Sequence, residues 1–62
     1  MEKKFSDLST ENQEKFVENL MEIKSESERI VVEIVKGSNI NVLPYIKFLK
    51  KHISKLETIL ST

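Results

Sequence analysis

Two stretches of the chain carry the same apolar ladder. Phe16, Leu20, Ile23, Ser27, Ile30 and Ile34 recur at alternating steps of four and three residues, and so do Val42, Ile46, Leu49, Ile53, Leu56 and Leu60. Such spacing keeps one face of an α-helix turned toward a neighbouring helix, whereas a strand alternates with period two. The single glycine, Gly37, separates the ladders. A chain folded back at Gly37 aligns Ile34 with Val42, Ile30 with Ile46 and Ser27 with Leu49. The series continues as Ile23 with Ile53, Leu20 with Leu56 and Phe16 with Leu60. The expected fold is all-α: a two-helix antiparallel hairpin that dimerises into a four-helix bundle.

Punctuation around the ladders sets the boundaries of one helical-hairpin domain over residues 1–62, with a helix over about 10–36, a turn at 37–41 and a helix over about 42–60. Phe5 and Leu8 are the apolar residues of a short lead-in that could fold over the end of the bundle. Ser9 or Thr10 is placed to cap the first helix, and Thr10 with Gln13 spells a capping box. Gly37 supplies the left-handed stop. Asn41 can cap the second helix, which leaves Pro44 in its first turn, where a missing N–H is harmless. In length and hairpin plan the chain resembles the plasmid repressor-of-primer family, a likeness of architecture that brings no binding motif with it.

Size makes the dimer more than decorative. A chain of 62 residues buries only about 60% of its unfolded surface, so a lone hairpin is marginal. There is no cysteine, hence no disulfide to compensate and no thiol ligand or nucleophile. Each helix also carries a second apolar edge: Val17, Met21, Val31 and Val35 on the first, interrupted by Lys24 and Glu28, and Tyr45, Phe48, His52 and Ile59 on the second. A hairpin uses one stripe per helix, and the surplus calls for another surface. Phe16, Val17, Leu20, Met21, Val31, Val35, Tyr45, Phe48, His52 and Ile59 are therefore the candidate self- or partner-interface.

The charges are segregated. Residues 7–36 hold eight acids against four bases, and residues 37–62 hold Lys47, Lys50, Lys51 and Lys55 against Glu57. An acidic first helix and a basic second helix attract when packed side by side, although each exposed pair is worth only about 0–1 kcal/mol. Lys47, Lys51 and Lys55, with Lys50 beside them, form a ridge that could touch nucleic-acid phosphates. The opposing reading is a solvated face, because no arginine or aromatic residue interleaves the lysines. Glu14, Glu18, Glu22 and Glu26 repeat at four-residue steps and read as an exposed face as well.

Catalytic chemistry finds little material. His52 is the sole histidine, no nearby residue in the sequence forms a nucleophile motif with it, and it reads as an interface histidine. No glycine-rich phosphate loop, HExxH or EF-hand pattern is present. The expectation is no enzyme, no catalytic residue, no metal and no cofactor. Ser27 reads as a polar layer within the seam, so that Ser27→Leu is expected to raise the melting temperature. Apolar runs stop at three residues, too short for a membrane span or a signal-peptide core. The location expected is cytoplasmic, in a bacterial cell or an infected host. The lysine-rich, alanine-free composition suits an AT-rich bacterial, phage or plasmid genome. The leading function is a small protein-binding regulator, a homodimer with a further protein partner. The alternative is an RNA- or DNA-binding bundle using the lysine ridge.

Overall fold

The computed structural model describes residues 3–61 of the chain, so Met1, Glu2 and Thr62 of the expected domain lie outside the described residues. A 3-10 turn at Phe5–Asp7 precedes α1 (Thr10–Val35) and α2 (Leu43–Ser61). The two helices pack against each other, and no strand occurs among the described residues. The molecule is a rod of 42 × 16 × 16 Å. No described helix is long and apolar enough to cross a membrane.

Local chemistry explains each boundary. Ser9 is the N-cap of α1: its Oγ accepts a hydrogen bond from the Asn12 N–H at 3.2 Å, satisfying one of the first-turn donors that has no partner within the helix. Gln13 does not complete the expected box with Thr10. Its Nε2 instead donates to the Phe5 carbonyl at 3.2 Å, which ties the lead-in to α1. The Phe5 ring meets Phe16 edge-on at 5.8 Å between centroids, and Leu8 is buried. At the other end Gly37 adopts φ +83°, with Gly37 N–H donating to Ile34 O and Ser38 N–H to Glu33 O. Those two bonds are the Schellman pattern, which needs a left-handed residue after the last helical turn. The Asn41 side-chain oxygen accepts from Leu43 N–H at 3.0 Å, so Asn41 does serve the start of α2, one residue farther out than a helix from Val42 requires.

The seam between the helices differs from the ladder alignment in two ways. First, α2 is rotated. Tyr45, Phe48 and His52 turn toward α1 together with Leu49 and Leu56, and His52 is buried. The expected seam residues Leu20, Ile34, Val42, Ile46 and Ile53 are instead 40–54% exposed. Second, the register slides by about one turn. Ser27 hydrogen-bonds the Tyr45 hydroxyl, four residues before the Leu49 that the ladders set opposite it. The physical reason lies in the polar groups. The ladder register would leave Ser27 facing a leucine and His52 unpartnered at the edge. The observed register gives both of them partners, and a buried polar group without one costs about 1–3 kcal/mol. Tyr45 and Phe48 add large buried faces to the same choice.

Candidate interaction surface

Helical phase divides the hairpin into two flanks. On α1, with the seam running through Ile23 and Ile30, Asn19 and Glu22 fall to one side, and Leu20 and Val31 fall about 60–80° to the other. On α2, with the seam through Leu49 and Leu56, His52 and Lys55 fall to one side and Ile53 and Ile46 about 60–80° to the other. The structure fixes how these sides match. Asn19 hydrogen-bonds His52 and Glu22 lies against its other ring nitrogen, and Lys15, Glu18 and Asn19 share a groove with Lys55 and Ile59. That side is therefore one polar flank. Leu20 and Val31 of α1 consequently share the opposite flank with Ile46 and Ile53 of α2.

His52 organises the polar flank. The Asn19 Nδ2 donates to the Lys15 carbonyl at 2.8 Å, so its Oδ1 is the atom turned to the imidazole and accepts from His52 Nδ1–H at 2.8 Å. His52 Nε2 lies 3.2 Å from Glu22 Oε2, and the Phe48 ring stands 4.3 Å from the imidazole between centroids. With both ring nitrogens engaged and the residue buried, His52 offers no free nitrogen to a substrate. Beside it runs an open groove of about 380 Å³ with Ile59 on its wall. Among the described residues, no cluster of three or more His, Cys, Asp or Glu side chains could hold a metal ion.

The apolar flank continues along both helices. Val17, Leu20 and Val31 of α1, Ile46 and Ile53 of α2, and Val42 just ahead of α2 are all at least 40% exposed. Met21 and Val35 are more exposed still. Lys24 and Glu28 stand in the middle of the α1 stripe, 4.0 Å apart and both largely exposed.

The sequence-derived interface set is thus split. Val17, Leu20, Met21, Val31 and Val35 stay on the surface, the α2 ladder residues Ile46 and Ile53 join them on it, and Val42 is exposed ahead of α2. Tyr45, Phe48 and His52 are drawn into the hairpin's own seam, Phe16 meets Phe5, and Ile59 borders the groove. Asn19 and Glu22, which meet His52, belong to no motif in the sequence. The available signal was Asn19 itself, an amide occupying a helix-facing position between Phe16 and Ile23.

Charge is arranged without cross-helix pairing of the kind the segregation suggested. Lys47, Lys50, Lys51 and Lys55 are all exposed, and among the described residues none forms an ion pair with α1. The pairs formed by lysine and arginine lie within α1: Lys15 with Glu11, Lys24 with Glu28 and Arg29 with Glu26. The Arg29 guanidinium, whose Nε is 3.1 Å from Glu26 Oε1, lowers the Glu26 carboxyl below its usual value through that hydrogen bond, and Glu26 raises Arg29 in return. Such a pair favours the folded chain above the ordinary carboxylate range, and the effect fades as pH falls through the lowered value.

No protein-family profile matches the chain, no curated protein matches it in sequence, and no solved structure matches it in fold.

Proposed function

We propose that this chain is a small non-enzymatic protein-binding regulator that acts through the apolar flank of its hairpin. One observation carries the reading: exposed apolar side chains of both helices gather on the flank opposite the His52 groove, interrupted by Lys24 and Glu28 on α1 and by Lys50 on α2. Water-exposed Val, Leu and Ile gathered on one face have no structural use within the hairpin, and apolar patches of this kind mark protein docking surfaces. The regulator would change what it binds by occupying that partner's apolar surface. A four-helix bundle built from two hairpins and a complex with another protein's helices both fill the same flank.

The test is a photoreactive side chain placed at Val31 on the apolar flank and, separately, at Lys51 on α2. In the source cell Val31 is expected to capture protein, and the capture is expected to disappear when Ile46→Glu is added. Adducts at Lys51 with none at Val31 would overturn the reading. A second reading, nucleic-acid binding, draws on the exposure of Lys47, Lys50, Lys51 and Lys55 and their lack of ion pairs with α1 among the described residues. It requires binding to generic RNA or DNA that weakens steeply with salt and is lost on changing these lysines to glutamine.

A further inference from the structure

We propose that the occupant of the apolar flank is a second copy of this chain, related by a two-fold axis perpendicular to the helices that passes near Ile46. The proposal rests on the protein-docking reading above and names its partner. Three observations support it.

The first is area. The chain exposes 5040 Å², whereas a folded protein of 7.2 kDa exposes about 4,100 Å². The excess, about 900 Å² per chain, matches the roughly 800 Å² that each partner of a standard interface buries. Burial inside the hairpin is correspondingly thin: among the described residues only Leu8, Ile30 and His52 are buried, and no side chain of them is fully so.

The second is that the α1 stripe is its own complement. Reading along it gives Val17, Leu20, Lys24, Glu28, Val31 and Val35. Reversed about residue 26 it gives the same order of apolar and charged positions, with the charge signs exchanged. An isologous two-fold contact requires such a surface, because residue i meets residue j while j meets i. Two antiparallel α1 helices crossing at residue 26 set Val17 against Val35 of the other copy and bring Leu20 within one residue of the level of its Val31. Lys24 then meets Glu28 of the other copy, twice. The charged break in the stripe becomes a pair of reciprocal ion pairs, which penalises any register that strands them.

The third is the place of α2. Tyr45 is level with Ser27, and His52 is level with Asn19 and Glu22. Between these ties Ile46 comes level with residue 26 on the same flank. The axis that centres the α1 stripe therefore also brings Ile46 of one copy against Ile46 of the other. With an axis parallel to the helices, α1 would lie over α2, Lys24 would fall beside Lys50, and the two Ile46 side chains would lie diagonally apart.

Sedimentation of the full chain measures the dimer, and engineered cysteines in this cysteine-free sequence measure its geometry. The expected results are a dimer, efficient coupling of Ile46→Cys chains by a short bis-maleimide, and no coupling of Lys51→Cys chains. Lys24→Glu and Glu28→Lys are each expected to weaken the dimer by about tenfold or more. An equimolar mixture of the two variants is expected to recover association as a heterodimer, which no contact within one chain can produce. A dimer that shows neither Ile46→Cys coupling nor recovery in the mixture overturns the proposed geometry. A helical monomer at millimolar concentration overturns the second copy as occupant. In that event, capture through Val31 that is lost with Ile46→Glu keeps the docking reading, and no capture removes that as well.

Discussion

Three polar side chains decide how this hairpin closes. Ser27, Tyr45 and His52 each find a partner across the seam, and the apolar ladders yield to that requirement. Ser27 and Tyr45 share one hydrogen bond, so their effects on stability should not add. Ser27→Ala and Tyr45→Phe are each expected to cost about 1 kcal/mol, and the double variant little more than either alone. Chemical denaturation of the four species measures the coupling, and strictly additive losses would show that the hydroxyls act independently. The same bond reverses what the sequence suggested for Ser27→Leu. The leucine would deprive the Tyr45 hydroxyl of its partner and crowd the ring, so a lower melting temperature is now expected. At His52 the two partners are unequal. Asn19 sits half-buried against the ring, whereas the Glu22 side chain is 61% exposed. Asn19→Leu is expected to cost about 1–3 kcal/mol by leaving a buried imidazole N–H unpaired. Glu22→Gln, whose place water can take, should cost less than about 1 kcal/mol. A larger loss from Glu22→Gln than from Asn19→Leu would reverse that order of importance.

Each helix is bounded by a different device, and the devices respond differently to mutation. Gly37 holds φ +83° with open space where a Cβ would sit, so Gly37→Ala meets no clash and suffers only the left-handed backbone penalty, about 1–2 kcal/mol. Gly37→Asn should lose less, since asparagine tolerates that conformation. Thermal melts of the two variants check the order, and equal losses would point to a cause other than backbone strain. These boundaries were legible because they depend on neighbours in sequence: a serine before the first turn, a glycine after the last, an asparagine ahead of a proline. α1 ends at Val35 and α2 starts at Leu43, each one residue inside the expected limits. The rotation of α2 was not legible. Its two stripes, Val42-Ile46-Ile53 and Tyr45-Phe48-His52, are close in apolar content, and periodicity alone cannot rank them. The ranking came from α1, where Asn19, Glu22 and Ser27 offer hydrogen bonds to one stripe and nothing to the other. Such information is pairwise, and no pattern along a single helix contains it. The ladders show that apolar surface is in surplus, but the rotation of α2 decides which of its residues supply it: Ile46 and Ile53 rather than Tyr45 and Phe48.

At the scale of the whole molecule the hairpin is a two-layer rod that covers little of itself. Hydrophobic burial grows with apolar area at about 25 cal/mol per Å², and ordering each residue costs about 1–2 kcal/mol. A rod 16 Å thick leaves nearly every apolar side chain partly in water, so the balance in a single copy is slender. If a second copy covers the flank, folding and association become one equilibrium and stability depends on protein concentration. The enthalpy of unfolding a dimer of 62-residue chains should be about 90 kcal/mol at about 0.7 kcal/mol per residue. Mass action then raises the melting temperature by about 5 °C for each tenfold rise in concentration. Val31→Glu places a charge in the proposed contact without touching the seam, so it should lower the melting temperature and flatten this dependence. Glu33→Gln, a change of charge at a half-buried seam edge, should preserve the slope even if it shifts the midpoint. Calorimetry from micromolar to millimolar protein makes the comparison. A wild-type midpoint that stays constant over that range would mean that the rod is stable alone, and that the area it leaves uncovered is held for a different protein.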